Sequence, residues 1–339
     1  MRESFVTNPV VVEVTRGPLV ESAHRGAGAV VDADGRVVMA FGDADLPVYP
    51  RSAVKALQAL PLVASGAADR LGLSDKEIAL SCASHSGSED HVATARAMIA
   101  KVGYDERVLE CGVHWPLGED EARALARSGR TPTALHNNCS GKHAGFLCLS
   151  CAMGADPKGY VAPDHPVQRE VAASIEAMTG ARLSEAMRGV DGCAIPTYAV
   201  PVVALARGFA RLGTGHGLPL ELRDAAARIR AAVAAHPMTV AGRGRFDTEV
   251  MSLLGPRAFT KSGAEGVLCA ALPESGLGLA VKADDGAGRA AQVMIAALIR
   301  RFGRFDEETG ARLMRFVSPR LLNWNGAEVG LLRPAGPLA

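Results

Sequence analysis

A chain of 339 residues can bury a substantial core, and we read it as a single domain over 1–339. Its 37 basic and 36 acidic residues nearly cancel, without a long run of either sign, which argues against nucleic acid or an anionic membrane as partner. No apolar run is long enough to span a bilayer, MRESFVTNPVVVEV lacks the pattern of a secretory leader, and seven cysteines without scaffold spacing suit the reduced thiols of a cytoplasmic protein.

The N-terminal part is β-rich. VVVEVTRG, PLVESAHRG, AGAVVDADG and RVVMAFGD cluster or alternate β-branched residues between glycines, and DADG at 32–35 predicts a hairpin turn. From Ser52 the period turns helical in SAVKALQALPLVASG, where Pro61 is expected to kink or end the helix. The middle, about 85–250, reads as mostly helical, most clearly in DHVATARAMIAKVG and LRDAAARIRAAVAAHP. Strands return in AEGVLCAAL and GLGLAVKADDG, and AGRAAQVMIAALIRRFG predicts a long helix after them. Strands at both ends around a helical centre predict an α/β (α+β) fold. One antiparallel sheet is built from both chain ends and covered by helices, with a helical lobe beside it.

Three segments could carry nucleophilic chemistry. RSAVK (51–55) puts Ser52 and Lys55 three apart, so on a helix they share a face, and a neutral amine there could take the serine proton. ASHSG (83–87) supplies Ser84 in a predicted loop, and FTKSGAEGV places Lys261 before a predicted strand. This order of S-x-x-K, a serine loop and K-S-G is the layout of penicillin-binding proteins and serine β-lactamases. Two ammonium groups brought together would disfavour protonation of both, and K-S-G could offer backbone N–H groups to an oxyanion. The middle motif departs from the usual S-D-N, and no carboxylate suggests itself for deacylation, which speaks against a plain β-lactamase.

HNNCSGKHAGF (136–146) crowds Cys139, Lys142 and His143 together, with Cys193 far along the chain in VDGCAIPTYAV. Read from the residues alone, these are a cysteine nucleophile with its base, a zinc site of two thiolates and a nitrogen, or small buried cysteines. CLSC (148–151) sits in an apolar predicted helix, where core packing explains it better than redox chemistry; Cys82, Cys111 and Cys269 read as core too. Asp164-His165-Pro166 and His236-Pro237 read as helix boundaries.

Taken together, VTRGPLVESAHRGAGAVVDADG, YPRSAVKALQALPLV, ASHSGSEDH, HNNCSGKHAGFL, DHPVQ, VDGCAIPTYAVP, VAGRGRFDTEVM, TKSGAEGV and NWNGAEVGLLRP resemble the asparaginase II family, the Rhizobium etli type of L-asparaginase. The resemblance covers about residues 9–334. It implies a fold similar to serine β-lactamases, a homodimer, and hydrolysis of L-asparagine to L-aspartate and ammonia. It further implies two Ser–Lys tandems, Ser52 with Lys55 and Ser84 with Lys261. A zinc site of Cys139, Lys142 and Cys193 beside the substrate is implied as well, as are Arg51, His143 and Asp191 in the substrate pocket. The expected chemistry is attack by Ser52 with Lys55 as base, backbone N–H groups at the oxyanion, and a relay through Ser84 and Lys261 to the departing ammonia. Asp191 is expected to meet the substrate α-ammonium. The alternatives are a serine glutaminase, a β-lactamase-like amidohydrolase, and a zinc-dependent amino-acid-binding protein without turnover.

Overall fold

A computed structural model describes residues 7–339. The N-terminal end supplies β1 (Val10–Arg16), β2 (Leu19–Asp32) and β3 (Val37–Phe41). The middle gives only short strands, β4 (Pro47–Val48), β5 (Arg188–Val190), β6 (Pro196–Tyr198) and β7 (Val200–Pro201). The C-terminal end adds β8 (Phe259–Ser262), β9 (Val267–Leu272), β10 (Leu277–Ala283), β11 (Arg320–Leu322) and β12 (Glu328–Pro334). Eight of these form one antiparallel sheet in the order β11-β12-β1-β2-β10-β9-β8, with β3 also paired to β2. The sheet is built from both chain ends, as expected.

PLVESAHRG and AGAVVDADG, which read as two strands, form the single 14-residue β2. Its first half faces β1, Glu13 opposite Ala23, and its second half faces β10, Ala29 opposite Ala280. Gly26 stands where the partner changes. A Cβ there would lie 2.4 Å from the Lys282 carbonyl, so no side chain fits. The predicted turn at 32–35 joins β2 to β3.

Strand β9 is buried on both faces, which is why VLCAAL reads as an unbroken apolar run. Val267, Cys269 and Ala271 point into the core shared with the helical lobe, and Leu268, Ala270 and Leu272 into the core under the C-terminal helices. The helix Val202–Thr214 lies on the first face so closely that a Cβ at Gly278 would meet the Ala206 carbonyl at 1.9 Å. On the other face pack Gly288–Phe302 and Glu307–Val317. Among the described residues no helix is long and apolar enough to cross a membrane.

Pro61 does not end its helix, which runs Lys55–Ala64 with the proline inside. Proline leaves the carbonyl four residues earlier without its helical donor. Here that carbonyl, Leu57 O, accepts the Ser174 hydroxyl at 2.9 Å, so the missing bond is replaced from a neighbouring helix. The DHPVQ segment starts the helix Pro166–Thr179, and the His165 side chain caps its first turn. The CLSC segment lies in the helix Ser140–Ala152, where Cys148 is fully buried and its thiol donates to the Met98 carbonyl, as a core residue would.

Candidate active site

Ser52 stands in a 3-10 turn, Arg51–Val54, that runs directly into the helix begun by Lys55. At three residues per turn their side chains lie one above the other. Lys55 is nevertheless not bonded to Ser52. Fully buried, it donates to the Ala83 carbonyl at 2.5 Å and to Ser84 Oγ at 3.0 Å. Lys261, equally buried at the end of β8, reaches the same Ser84 Oγ at 2.9 Å and donates to the Ser262 carbonyl at 2.7 Å. The expected Ser84–Lys261 contact is present, and Ser84 also takes Lys55. The Ser52 hydroxyl is half-buried and, among the described residues, makes no hydrogen bond.

A serine hydroxyl has one proton and two lone pairs. Between two lysine Nζ atoms it can accept from both, or accept from one and donate to the other if that amine is neutral. Among the described residues its proton has no other acceptor, so a site in which that proton is also bonded has one neutral lysine. Burial lowers both from the ordinary lysine range. For Lys55, Cys139 and Cys193 oppose the effect and Lys142 adds to it. Lys261 falls to about 7, with burial first, Asp247 pulling upward, and Lys55 and Arg245 pushing down. Its proton is therefore mobile near neutral pH.

The K-S-G segment does not supply the oxyanion donors expected of it. The Ser262 N–H is committed to Asp247 Oδ2 at 2.9 Å and the Gly263 N–H to the Val267 carbonyl at 2.8 Å. Both amides hold the end of β8 in place instead.

Beside Ser52, Arg51 pairs with Asp191 Oδ1 at 2.7 Å, and the same oxygen accepts the Gly192 N–H at 2.8 Å. Burial alone would raise the Asp191 carboxyl; Lys142 and Arg51 outweigh it and hold the group below its ordinary value. The backbone at this edge is strained. Arg51 (φ 51°) and Ala194 (φ 73°) take left-handed conformations that L side chains rarely adopt. The turn 191–194 is locked by Ala194 N–H to the Asp191 carbonyl at 2.8 Å, which brings Cys193 inward.

Cys193 accepts from Lys142 Nζ at 3.1 Å, Cys139 neighbours it, and all three are buried. Cys139 immediately precedes the helix Ser140–Ala152, and Asn137 Oδ1 accepts its backbone N–H at 2.8 Å. Asn137 itself is tied to the Cys111 carbonyl at 2.8 Å, so the asparagines of HNNC orient the helix entry. The neighbouring Cys193 thiol, then the positive charges of Lys55 and Lys142, hold the Cys139 thiol well below its ordinary value against burial, while Cys193 is pushed up. Among the described residues no three His, Cys, Asp or Glu side chains are placed to hold a metal. Zinc here would need the Lys142 nitrogen. With it, the donor chemistry fits: the Cys139 and Cys193 sulfurs and a deprotonated Lys142 nitrogen are donors of the kinds zinc takes. Lys55 and Cys139 act on each other's charge, so this cluster adjoins the serine–lysine cluster.

His143 is fully buried, with Nδ1 at 2.7 Å from the Tyr160 hydroxyl and Nε2 without a partner among the described residues. The Tyr160 oxygen accepts the Glu110 N–H at 2.9 Å, so the arrangement in which Tyr160 donates to Nδ1 leaves an Nε2–H free.

A serine held by two buried lysines, beside an Arg–Asp pair and two thiols, has the inventory expected of an amide hydrolase. The sequence profile described as L-asparaginase II matches residues 12–334. The chain belongs to the L-asparaginase II family. It is an amidohydrolase on that membership. Among curated proteins no sequence match is found. Of the solved structures, Mglu superposes with a TM-score of 0.48 at 18% identity, covering 88% of this chain and 73% of that one. A β-lactamase from Mycobacterium bovis gives a TM-score of 0.42 at 14% identity over 82% of this chain and 95% of that one.

Sequence reasoning did not single out Asp247, Tyr160, Asn137 or His85. His85 Nε2 lies 2.9 Å from Ser140 Oγ, and its Nδ1 accepts the Gly87 N–H at 3.2 Å, which ties the Ser84 loop to the Cys139 helix. Asp247 lies in VAGRGRFDTEVM, but nothing in the sequence brings it to Lys261.

Proposed function

We infer that the protein hydrolyses L-asparagine to L-aspartate and ammonia through an acyl-enzyme on Ser52. The observation that carries this is the Ser84 hydroxyl bridging Lys55 and Lys261. A single proton moving along Lys55–Ser84–Lys261 exchanges which lysine is neutral. Ser52, half-exposed and without a hydrogen bond among the described residues, attacks the side-chain carboxamide carbon while its proton passes to Lys55. The relay delivers a proton from the Ser84–Lys261 side to the departing ammonia, and water then cleaves the aspartyl ester by the reverse path.

The Arg51–Asp191 pair suits the two charges of a free amino acid, guanidinium to α-carboxylate and carboxylate to α-ammonium. We assign His143 to the substrate pocket on the resemblance, and its unpartnered Nε2 among the described residues supports that role. Asp191→Ala is expected to raise KM for asparagine about 30-fold, the effect of losing ~2 kcal/mol in a charged hydrogen bond, with kcat changed less. An unchanged KM in steady-state ammonia release would remove Asp191 from substrate binding.

Cys139, Lys142 and Cys193 would hold zinc, which when bound supplies a Lewis acid for a substrate oxygen. Wild-type protein is expected to carry about one zinc per chain by elemental analysis, with Cys139→Ser losing it. Zinc content unchanged in that variant would refute the site. The homodimer implied by the resemblance, and the cytoplasmic setting expected from the cysteines, belong to this same reading.

The activity is tested by ammonia release from L-asparagine and L-glutamine, each with and without a chelator. Preference for asparagine supports the assignment. Preference for glutamine would make the protein a glutaminase, and saturable binding of asparagine without ammonia would make it a binding protein.

A further inference from the structure

Asp247 is the second residue of the helix Phe246–Leu254 and is only 3% exposed. Its carboxylate accepts both donors of Ser262, the N–H at 2.9 Å and the hydroxyl at 3.1 Å. Among the described residues it makes no ion pair with any Lys, Arg or His. A buried carboxylate is costly, and a neutral acceptor would satisfy the backbone N–H as well. The helix N-terminus offsets part of that cost. The geometry runs on from there. The Ser262 carbonyl accepts Lys261 Nζ at 2.7 Å, and the same Nζ reaches Ser84 Oγ at 2.9 Å.

We propose that Asp247 is a positioning residue for Lys261: it fixes the end of β8 from which the amine reaches Ser84, and its charge sets when that amine carries a proton. The proposal rests on the reading of Ser84 and its two lysines given above. The charged and titratable groups facing Lys261 come from every element around it. Asp247 and Arg245 lie on one side, Lys55 on its helix, Cys139 before the next helix, and Cys82 and the paired Cys269 behind. Asp247 is the carboxylate in this set. Its negative charge favours the ammonium, whereas Lys55 and Arg245 disfavour it.

The sign of the effect follows. Asp247→Asn keeps the shape and removes the charge, so Lys261 loses its proton at lower pH. Protein labelled with 13C at lysine Cε reports this directly, with the Lys261 resonance assigned as the one missing in Lys261→Arg. Lys261 is expected to titrate near 7 in the wild type. In Asp247→Asn it should move down by about one pH unit, with the acid limb of kcat/KM for asparagine moving alongside it, while Asp247→Glu returns both toward wild type. A Lys261 titration unmoved in Asp247→Asn would overturn the proposal, whatever happens to kcat. If Asp247→Asn does not fold, Ser262→Ala serves instead, since it removes one of the two bonds and keeps the charge. Its kcat is expected to fall about tenfold with the Lys261 titration in place, and a wild-type kcat would overturn the positioning role. A Lys261 resonance that moves in protein inactive on both amides would reject the asparaginase reading and still support Asp247.

Discussion

Replacing Ser52 by alanine is expected to lower kcat for asparagine hydrolysis by about 10⁴-fold while leaving KM within a few-fold of wild type. The expectation rests on exposure and bonding. Ser52 is half-buried with no hydrogen bond to its hydroxyl among the described residues, whereas Ser84 is buried between two lysines and Cys139 is buried. A nucleophile must meet the substrate, and Ser52 is the serine of the cluster placed to do so. Steady-state ammonia release is the measurement, and turnover near the wild-type rate would remove Ser52 from the chemistry. The Ser52 side chain makes no hydrogen bond among the described residues, so the substitution should leave the thermal midpoint nearly unchanged. A loss of activity can then be separated from a loss of fold.

Ser84→Ala is expected to cost about 10²–10³-fold in kcat, the usual range for losing a positioned proton-transfer group. It cuts the bridge between Lys55 and Lys261, whose other partners are the carbonyls of Ala83 and Ser262. Two buried amines then lose an acceptor they share, and no path joins the proton taken from Ser52 to the departing ammonia. The defect should fall on acylation, so a rapid-quench time course should show no burst of ammonia before the steady state. A burst of full amplitude in Ser84→Ala would place Ser84 after acylation and contradict the relay. This variant should also lose stability, because two fully buried lysines are left with poorer hydrogen bonding.

The fold was legible where burial imposes a period. VLCAAL reads as a doubly buried strand because both of its faces contact cores, and AGRAAQVMIAALIRRFG shows its helix because one stripe of it faces the sheet. The hairpin β11–β12 escaped notice because much of it is exposed and its residues carry little apolar alternation; it is held by pairing to β1, Glu13 opposite Arg333. Pro61 misled because propensity is local, whereas the Ser174 hydroxyl that replaces the lost donor comes from a distant segment.

The candidate site shows the same division. Ser52, Lys55, Ser84 and Lys261 were readable as residue types in order, but their pairing was not. A spacing of three favours Ser52 with Lys55, and only tertiary packing turns Lys55 toward the Ser84 loop instead. Cys139 and Cys193 come together through the strained turn at Ala194, which no spacing rule encodes. The K-S-G amides looked free as oxyanion donors because the sequence gives no sign that Asp247 and Val267 occupy them.

The central claim is that the acyl group is carried by Ser52. Wild-type protein mixed with L-asparagine, quenched in acid within the first turnover and digested, can be read by peptide mass spectrometry. The result expected is an aspartyl ester, labile to hydroxylamine, on the peptide that contains Ser52. An ester on the Ser84 peptide, a thioester on the Cys139 peptide, or turnover with no adduct at any time point would contradict the account.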